Sequence, residues 1–106
     1  MSGSLDRVQL LLDQLAQLGP MLPGTISTQW NVCGKAGCRC KDPHKPRKHG
    51  PYYQLSYTLG GKSSTAFVPA AKQRQVRSYI AATKRFRALQ VRLLQEYVAL
   101  LRQGEI

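Results

Sequence analysis

Cys33, Cys38 and Cys40, followed by His44 and His49, are the residues of this chain whose types and spacing point to metal chemistry. A structural zinc ion takes four thiolate or imidazole ligands in a tetrahedron. The three cysteines and one histidine complete such a set, for one structural Zn2+ per chain. Lys35, Arg39 and Lys41 lie among the cysteines, and neighbouring cations ease the thiol deprotonation that ligation requires. The spacing C-x4-C-x-C, with eight residues more to His49, differs from the paired C-x2-C of common zinc fingers. In an extended strand, side chains two residues apart share a face about 7 Å from one another. Cys38 and Cys40 can therefore ligate together only from a loop. Without metal, the same residues read as reduced thiols tucked into a loop, with the histidines exposed. A catalytic zinc is disfavoured, because Asp42 is the one carboxylate nearby and metal-assisted hydrolysis needs a general base. A Cys–His nucleophile pair finds no oxyanion or acid partner that stands out.

The same loop is basic. Lys35, Arg39, Lys41, Lys45, Arg47 and Lys48 crowd it, and Pro43, Pro46 and Pro51 stiffen it. Clustered cations on a semi-rigid loop suit phosphates. Tyr52 and Tyr53 follow directly and can stack on bases or pack in the core. Tyr53, in line with Leu55 and Tyr57, is expected in the core, and Tyr52, on the other face, is the one to reach a ligand. Sixteen Lys and Arg against five acids give the whole chain a formal net charge of +11. Such a field attracts polyanions, and nucleic acid is the commonest; an anionic membrane or an acidic protein is the alternative. A second basic set, Lys72, Arg74, Arg77, Lys84, Arg85, Arg87 and Arg92, lies toward the C-terminus. On a helical wheel Arg74, Arg77, Lys84, Arg85 and Arg92 share a broad face away from Tyr79, Phe86 and Leu93. A merely solvated face interleaves Glu with its cations, and no acid falls between Asp42 and Glu96. For reading bases, Gln73, Arg74 and Gln75 offer the groove chemistry on a helix. Gln54, Ser56, Lys62 and Ser64 offer it on a hairpin.

Three zones must position these groups. Residues 4–18 place Leu5, Val8, Leu11, Leu12, Leu15 and Leu18 at steps of three and four, the helical period, with Ser4 as N-cap. Gly19-Pro20 ends that helix. Residues 25–68 read as loop and strand. Tyr52–Leu59 and Ser63–Val68 flank Gly60-Gly61-Lys62, a hairpin signal, and the stretch from Thr25 to Val32 supplies a third strand. In the first arm Tyr53, Leu55 and Tyr57 share one face, Tyr52, Gln54, Ser56 and Thr58 the other. Residues 70–103 contain no Gly or Pro, and Tyr79, Phe86, Leu93 and Leu100 recur every seven residues, flanked by Val76, Ile80, Leu89, Tyr97 and Leu101. They predict one long amphipathic helix, with Thr83 the point for a break. A helix of about 30 residues spans about 45 Å. Its seam therefore needs the N-terminal helix, a second copy in a homodimer, or a larger protein partner. The fold class expected is α+β, in one domain over residues 1–106.

No secretory signal and no apolar run of transmembrane length is visible. Three cysteines within eight residues do not form a secreted disulfide framework. A cytoplasmic, non-membrane protein is expected, associated with the nucleoid if DNA is the partner. The chain has too few carboxylates for a metal-dependent nuclease, so a binding module, not an enzyme, is expected. Duplex DNA is favoured over RNA. The other reading is an interaction subunit that docks by its helices on a larger nucleic-acid enzyme or RNA–protein complex.

The string from Asn31 to Pro69 resembles a family of small bacterial and archaeal proteins, many encoded near transposases or other mobile elements. The resemblance rests on Asn31-Val-Cys-Gly-Lys-Ala-Gly-Cys-Arg-Cys40, His49-Gly-Pro-Tyr-Tyr53, Leu55-Ser56, Gly61-Lys62 and Val68-Pro69. It covers about forty residues closely and the helical tail loosely, and it carries no activity with it. It implies that the histidine before Gly-Pro-Tyr joins the three cysteines, which favours His49 over His44. The segment Pro43–Lys48 is longer than the family's usual one, which leaves that choice open. An accessory role in a mobile element or defence system would fit the charge.

Overall fold

A computed structural model describes residues 3–106. In chain order the elements are helix α1 (Gly3–Ala16), strand β1 (Thr25–Asn31), a 3-10 turn (Arg39–Lys41), strands β2 (His49–Leu59) and β3 (Lys62–Val68), a second 3-10 turn (Ala70–Lys72) and helix α2 (Gln73–Arg102). The expected α+β class, with an N-terminal helix, a three-stranded antiparallel sheet and a long C-terminal helix, is the one observed. The chain divides into two compact units. One comprises Pro23–Ser78, the other the residues up to Leu22 together with Tyr79–Ile106.

In the first unit the strands lie in the order β1-β2-β3, all antiparallel. Gly60 and Gly61 both take positive φ, 57° and 77°, the conformation that a two-residue hairpin turn demands and that glycine adopts without steric cost. Ile26 pairs with Leu55, and Leu55 with Ala66. Leu55, Val68 and Cys40 are the unit's buried core residues, which is little apolar burial for more than fifty residues. β2 begins at His49, three residues before the Tyr52 expected. Its ladder with β1 is irregular between Gln29 and Asn31, and Pro51, with no N–H to give, falls where the pairing lapses.

In the second unit Val8 and Leu11 of α1 and Ile80, Leu89 and Leu100 of α2 are buried. Of the seven-residue series Leu100 is buried and Tyr79, Phe86 and Leu93 are half-buried; of its flanking residues Ile80 and Leu89 are buried, while Tyr97 and Leu101 are exposed. Two sequence expectations are corrected. Ser4 does not cap α1: the helix already includes Gly3, and Ser4 is fully buried, its Oγ accepting from Arg7 Nη2 at 3.0 Å. Nor does Thr83 break α2, because its hydroxyl donates to the Leu22 carbonyl at 2.7 Å and also to the Tyr79 carbonyl one turn back. The Leu22 N–H donates to Tyr79 O at 3.2 Å. Near the other end, Arg7 Nε donates to Glu96 Oε1 at 2.9 Å, so α1 runs antiparallel to this part of α2. None of the described helices is long and apolar enough to cross a membrane.

Candidate metal centre

β1 ends at Asn31, directly opposite His49 at the start of β2, so the intervening residues form a loop closed at its base by the sheet. Within it, Lys41 N–H donates to Cys38 O at 2.9 Å, Arg47 N–H to Arg39 O at 2.9 Å, and Cys38 N–H to Lys35 O at 3.4 Å. Cys38 is extended, but the Arg39–Lys41 turn that follows it contains Cys40, so the two side chains do not sit on one continuous strand and can face one point. Asp42 Oδ1 accepts the backbone N–H groups of His44 at 2.9 Å and Lys45 at 3.3 Å. The loop's one carboxylate is thereby committed to holding a turn.

These constraints gather the side chains of Cys33, Cys38, Cys40 and His49. Their ligand atoms all lie within 4.8 Å of one another. Cys33 Sγ and Cys40 Sγ are 3.6 Å apart, and Cys38 Sγ and His49 Nε2 3.2 Å. In a tetrahedron with metal–sulfur bonds of about 2.3 Å, neighbouring sulfurs stand about 3.8 Å apart. The donor spacing and the donor chemistry therefore fit a metal ion of the soft, thiolate-binding kind. His44 is exposed and stands outside this group. His49 is positioned through its neighbour: Gly50 has φ 139°, and a Cβ there would meet Gln29 O at 2.9 Å and Trp30 Cε3 at 3.2 Å. Only glycine lets β2 pass β1 this closely at the base of the loop.

The thiols are electrostatically unequal. Cys38 is pulled down to about 6, first by the backbone N–H of Cys40, then by hydrogen bonds with the Cys33 and Cys40 thiols and, least, by His49, with burial opposing. Cys40 is pushed up, chiefly by burial and further by the neighbouring thiols. Near neutral pH Cys38 is thus already a thiolate, while Cys40 surrenders its proton only to a strong competitor such as a metal. The Cys33 N–H, 3.4 Å from Cys40 Sγ, is placed to stabilise that second thiolate.

The cations picked out in the sequence are all exposed: Lys35, Arg39, Lys41, Lys45, Arg47 and Lys48 on the loop, Lys62 at the hairpin, and Arg74, Arg77, Lys84, Arg85 and Arg92 on α2. Tyr52 is exposed too. Among the described residues the one ion pair is Arg7–Glu96, so none of these cations is neutralised by an acid. Their distribution is uneven. Pro23–Ser78 holds ten Lys and Arg against Asp42, a net +9, whereas the helical unit holds six against four, a net +2. Sequence reasoning missed Phe67, which is 69% exposed on β3. Its signal was the alternation that sets it with the polar Ser63 and Thr65 and across from Gln54.

Fold and site together define an α+β protein whose small antiparallel sheet carries a Cys3His loop able to hold a metal. The chain belongs to the family described as Domain of unknown function (DUF6788), whose model matches residues 2–78. The match takes in the sheet and the entire loop and stops at Ser78, where the sheet unit also ends. No curated protein and no solved structure matches the chain.

Proposed function

We propose that this protein is a non-catalytic nucleic-acid-binding module, in which a structural Zn2+ on Cys33, Cys38, Cys40 and His49 fixes a loop whose cations engage phosphates. The single observation that carries the reading is the concentration of +9 on the sheet unit, on exposed side chains with no acidic partner. Unpaired surface cations at this density repel one another until a polyanion arrives. Zinc is favoured because three thiolates and an imidazole make a closed structural set with no position left for a reactant. It also supplies a staple that the sheet unit's small core lacks. Duplex DNA is the partner proposed for the loop, for Lys62 and for the exposed cations of α2. A mobile element or defence system is the setting such an accessory module would serve.

The test is a fluorescence-anisotropy titration of the purified protein against duplex DNA, single-stranded DNA and structured RNA across a salt series. Tight duplex binding is expected, with log K falling by about 0.9 per phosphate contact for each log unit of salt. Weak binding to all three near physiological salt overturns the proposal.

One observation favours a second reading, that of an interaction subunit. Val91, Leu94, Val98 and Leu101, each between 48% and 63% exposed, follow one another at helical spacing along α2 and leave an apolar stripe uncovered. Such a stripe fits the apolar face of a larger nucleic-acid enzyme, an RNA–protein complex or a second copy of this chain. Sedimentation velocity separates the two readings. A well-behaved monomer that binds DNA supports the first; a chain that aggregates alone and binds nothing supports the second.

A further inference from the structure

We infer that the open face of the sheet is a stacking platform for unpaired bases, a site separate from the phosphate-contacting loop and helix. The inference rests on the nucleic-acid reading above. Strand alternation puts Gln29, Tyr52, Gln54 and Phe67 on the face opposite Leu55. Phe67 is 69% and Tyr52 41% exposed. Exposing two aromatic rings at diagonal positions on one sheet face, in a chain with so small a core, leaves large apolar area in water, which a ligand with a flat apolar face would cover.

The groups between the rings suit bases. Gln29 Nε2 donates to Gln54 Oε1 at 2.8 Å. That bond locks the two amides and leaves the Gln29 carbonyl and the remaining Gln54 N–H groups to meet a base edge, one acceptor beside one donor. Asn31 and Tyr53 complete the cleft these residues line, whose volume is about 240 Å³. Pockets that enclose small molecules run to about 300–1,000 Å³, so this one suits a flat ring laid on a surface.

Charge selects the occupant. The platform bears no charged side chain, yet it sits at the end of the sheet where the cations converge. The basic loop leaves from Asn31 and returns at His49, and β3 ends at Val68 just before Lys72, Arg74 and Arg77. Nine of the unit's ten cations therefore attach at the Tyr52–Phe67 end, and only Lys62 lies at the hairpin end. Aromatic rings in the middle and cations at the margin match bases and phosphates of one strand. Duplex bases are already stacked and have no face to offer, so the ligand is a single strand or an unpaired segment.

The test compares three fluorescent probes with the full chain in its metal-loaded form: an oligothymidine, an abasic oligomer of equal length, and a duplex. Wild type is expected to bind oligothymidine more tightly than the abasic oligomer. Phe67→Leu and Tyr52→Ala are each expected to weaken oligothymidine binding by between about 5-fold and about 150-fold. Abasic and duplex binding should be unchanged, and Phe67→Trp should retain affinity. Because the wild-type comparison of thymidine with abasic probe needs no variant, a misfolded mutant cannot rescue or sink the idea. Equal affinity for those two probes, or variants with the wild-type fold by circular dichroism that keep full oligothymidine binding, overturns the platform. Steep, salt-dependent duplex binding alongside either result leaves the nucleic-acid reading standing; failure to bind any probe overturns both.

Discussion

Replacing Cys40 with alanine separates a metal ligand from a small buried side chain by magnitude alone. Cys40 is 3% exposed, and Leu55 and Val68 are the other buried core residues of its unit. If Cys40 merely packs, Cys40→Ala removes one sulfur atom, worth about 0.8 kcal/mol on the scale of a buried methylene. It also removes the acceptor of the Cys33 N–H, worth about 1 kcal/mol. The packing reading thus predicts a loss near 2 kcal/mol and no dependence on chelators. Structural zinc sites carry about 10–16 kcal/mol of apparent binding free energy at neutral pH. An even share over four ligands is about 2.5–4 kcal/mol, or about two to three orders of magnitude in metal affinity. Metal analysis with a competing chelator measures that affinity, and thermal melts with and without chelator measure its coupling to folding. Wild type is expected to carry one zinc per chain and to lose stability on chelation. Cys40→Ala should bind metal at least a hundredfold more weakly and show little further response to chelator. Equal metal affinity in the two proteins, or a wild type indifferent to chelator, would refute the ligand assignment.

Further outcomes follow from the same geometry. His49→Ala is expected to lose metal as Cys40→Ala does, whereas His44→Ala, outside the cluster, keeps full occupancy; mass spectrometry under native conditions reads both. In metal-free protein, alkylation by iodoacetamide should modify Cys38 first, with a midpoint near pH 6, and Cys40 last. The lowered Cys38 value also fixes a sign: its stabilisation of the metal-free fold is complete above pH 9, fades as pH falls toward 6 and is absent below. Denaturant melts of the metal-free chain across that window test it, with the pushed-up Cys40 working in the opposite sense. Gly50→Ala should cost about 1–3 kcal/mol, because alanine must hold a positive φ while its Cβ presses on Gln29 O; a melt within 0.5 kcal/mol of wild type would contradict that.

Much of the fold was legible because its signals are local. The seven-residue recurrence of Tyr79, Phe86, Leu93 and Leu100 reports one helix face, and Gly60-Gly61 between two β-rich runs reports one turn. The alternation from Tyr52 to Thr58 correctly separated the buried Leu55 from the exposed Tyr52. What failed depended on long-range partners. Thr83 looks like a weak point in an apolar seam until Leu22, sixty-one residues away in sequence, supplies a carbonyl for its hydroxyl. The start of β2 was hidden because Gly50 and Pro51 read as strand breakers, yet β1 tolerates them through a lapse in register beside Trp30. For the metal cluster the residue types were visible in the sequence, but spacing alone left His44 and His49 equal. The closure of the loop by the Asn31–His49 pair is what puts His49 beside Cys38.

The most direct measurement is duplex-DNA affinity of metal-loaded and metal-free protein, side by side across a salt series. Zn2+ with three thiolates carries a net −1, and the metal-free site with Cys38 alone ionised carries the same, so charge alone gives the metal-free form no reason to bind more weakly. The proposed function predicts tight, steeply salt-dependent binding by the loaded protein and a clear loss when the loop is released by chelation. Binding that is weak in both forms, or equal in both, would contradict a metal-fixed nucleic-acid interface.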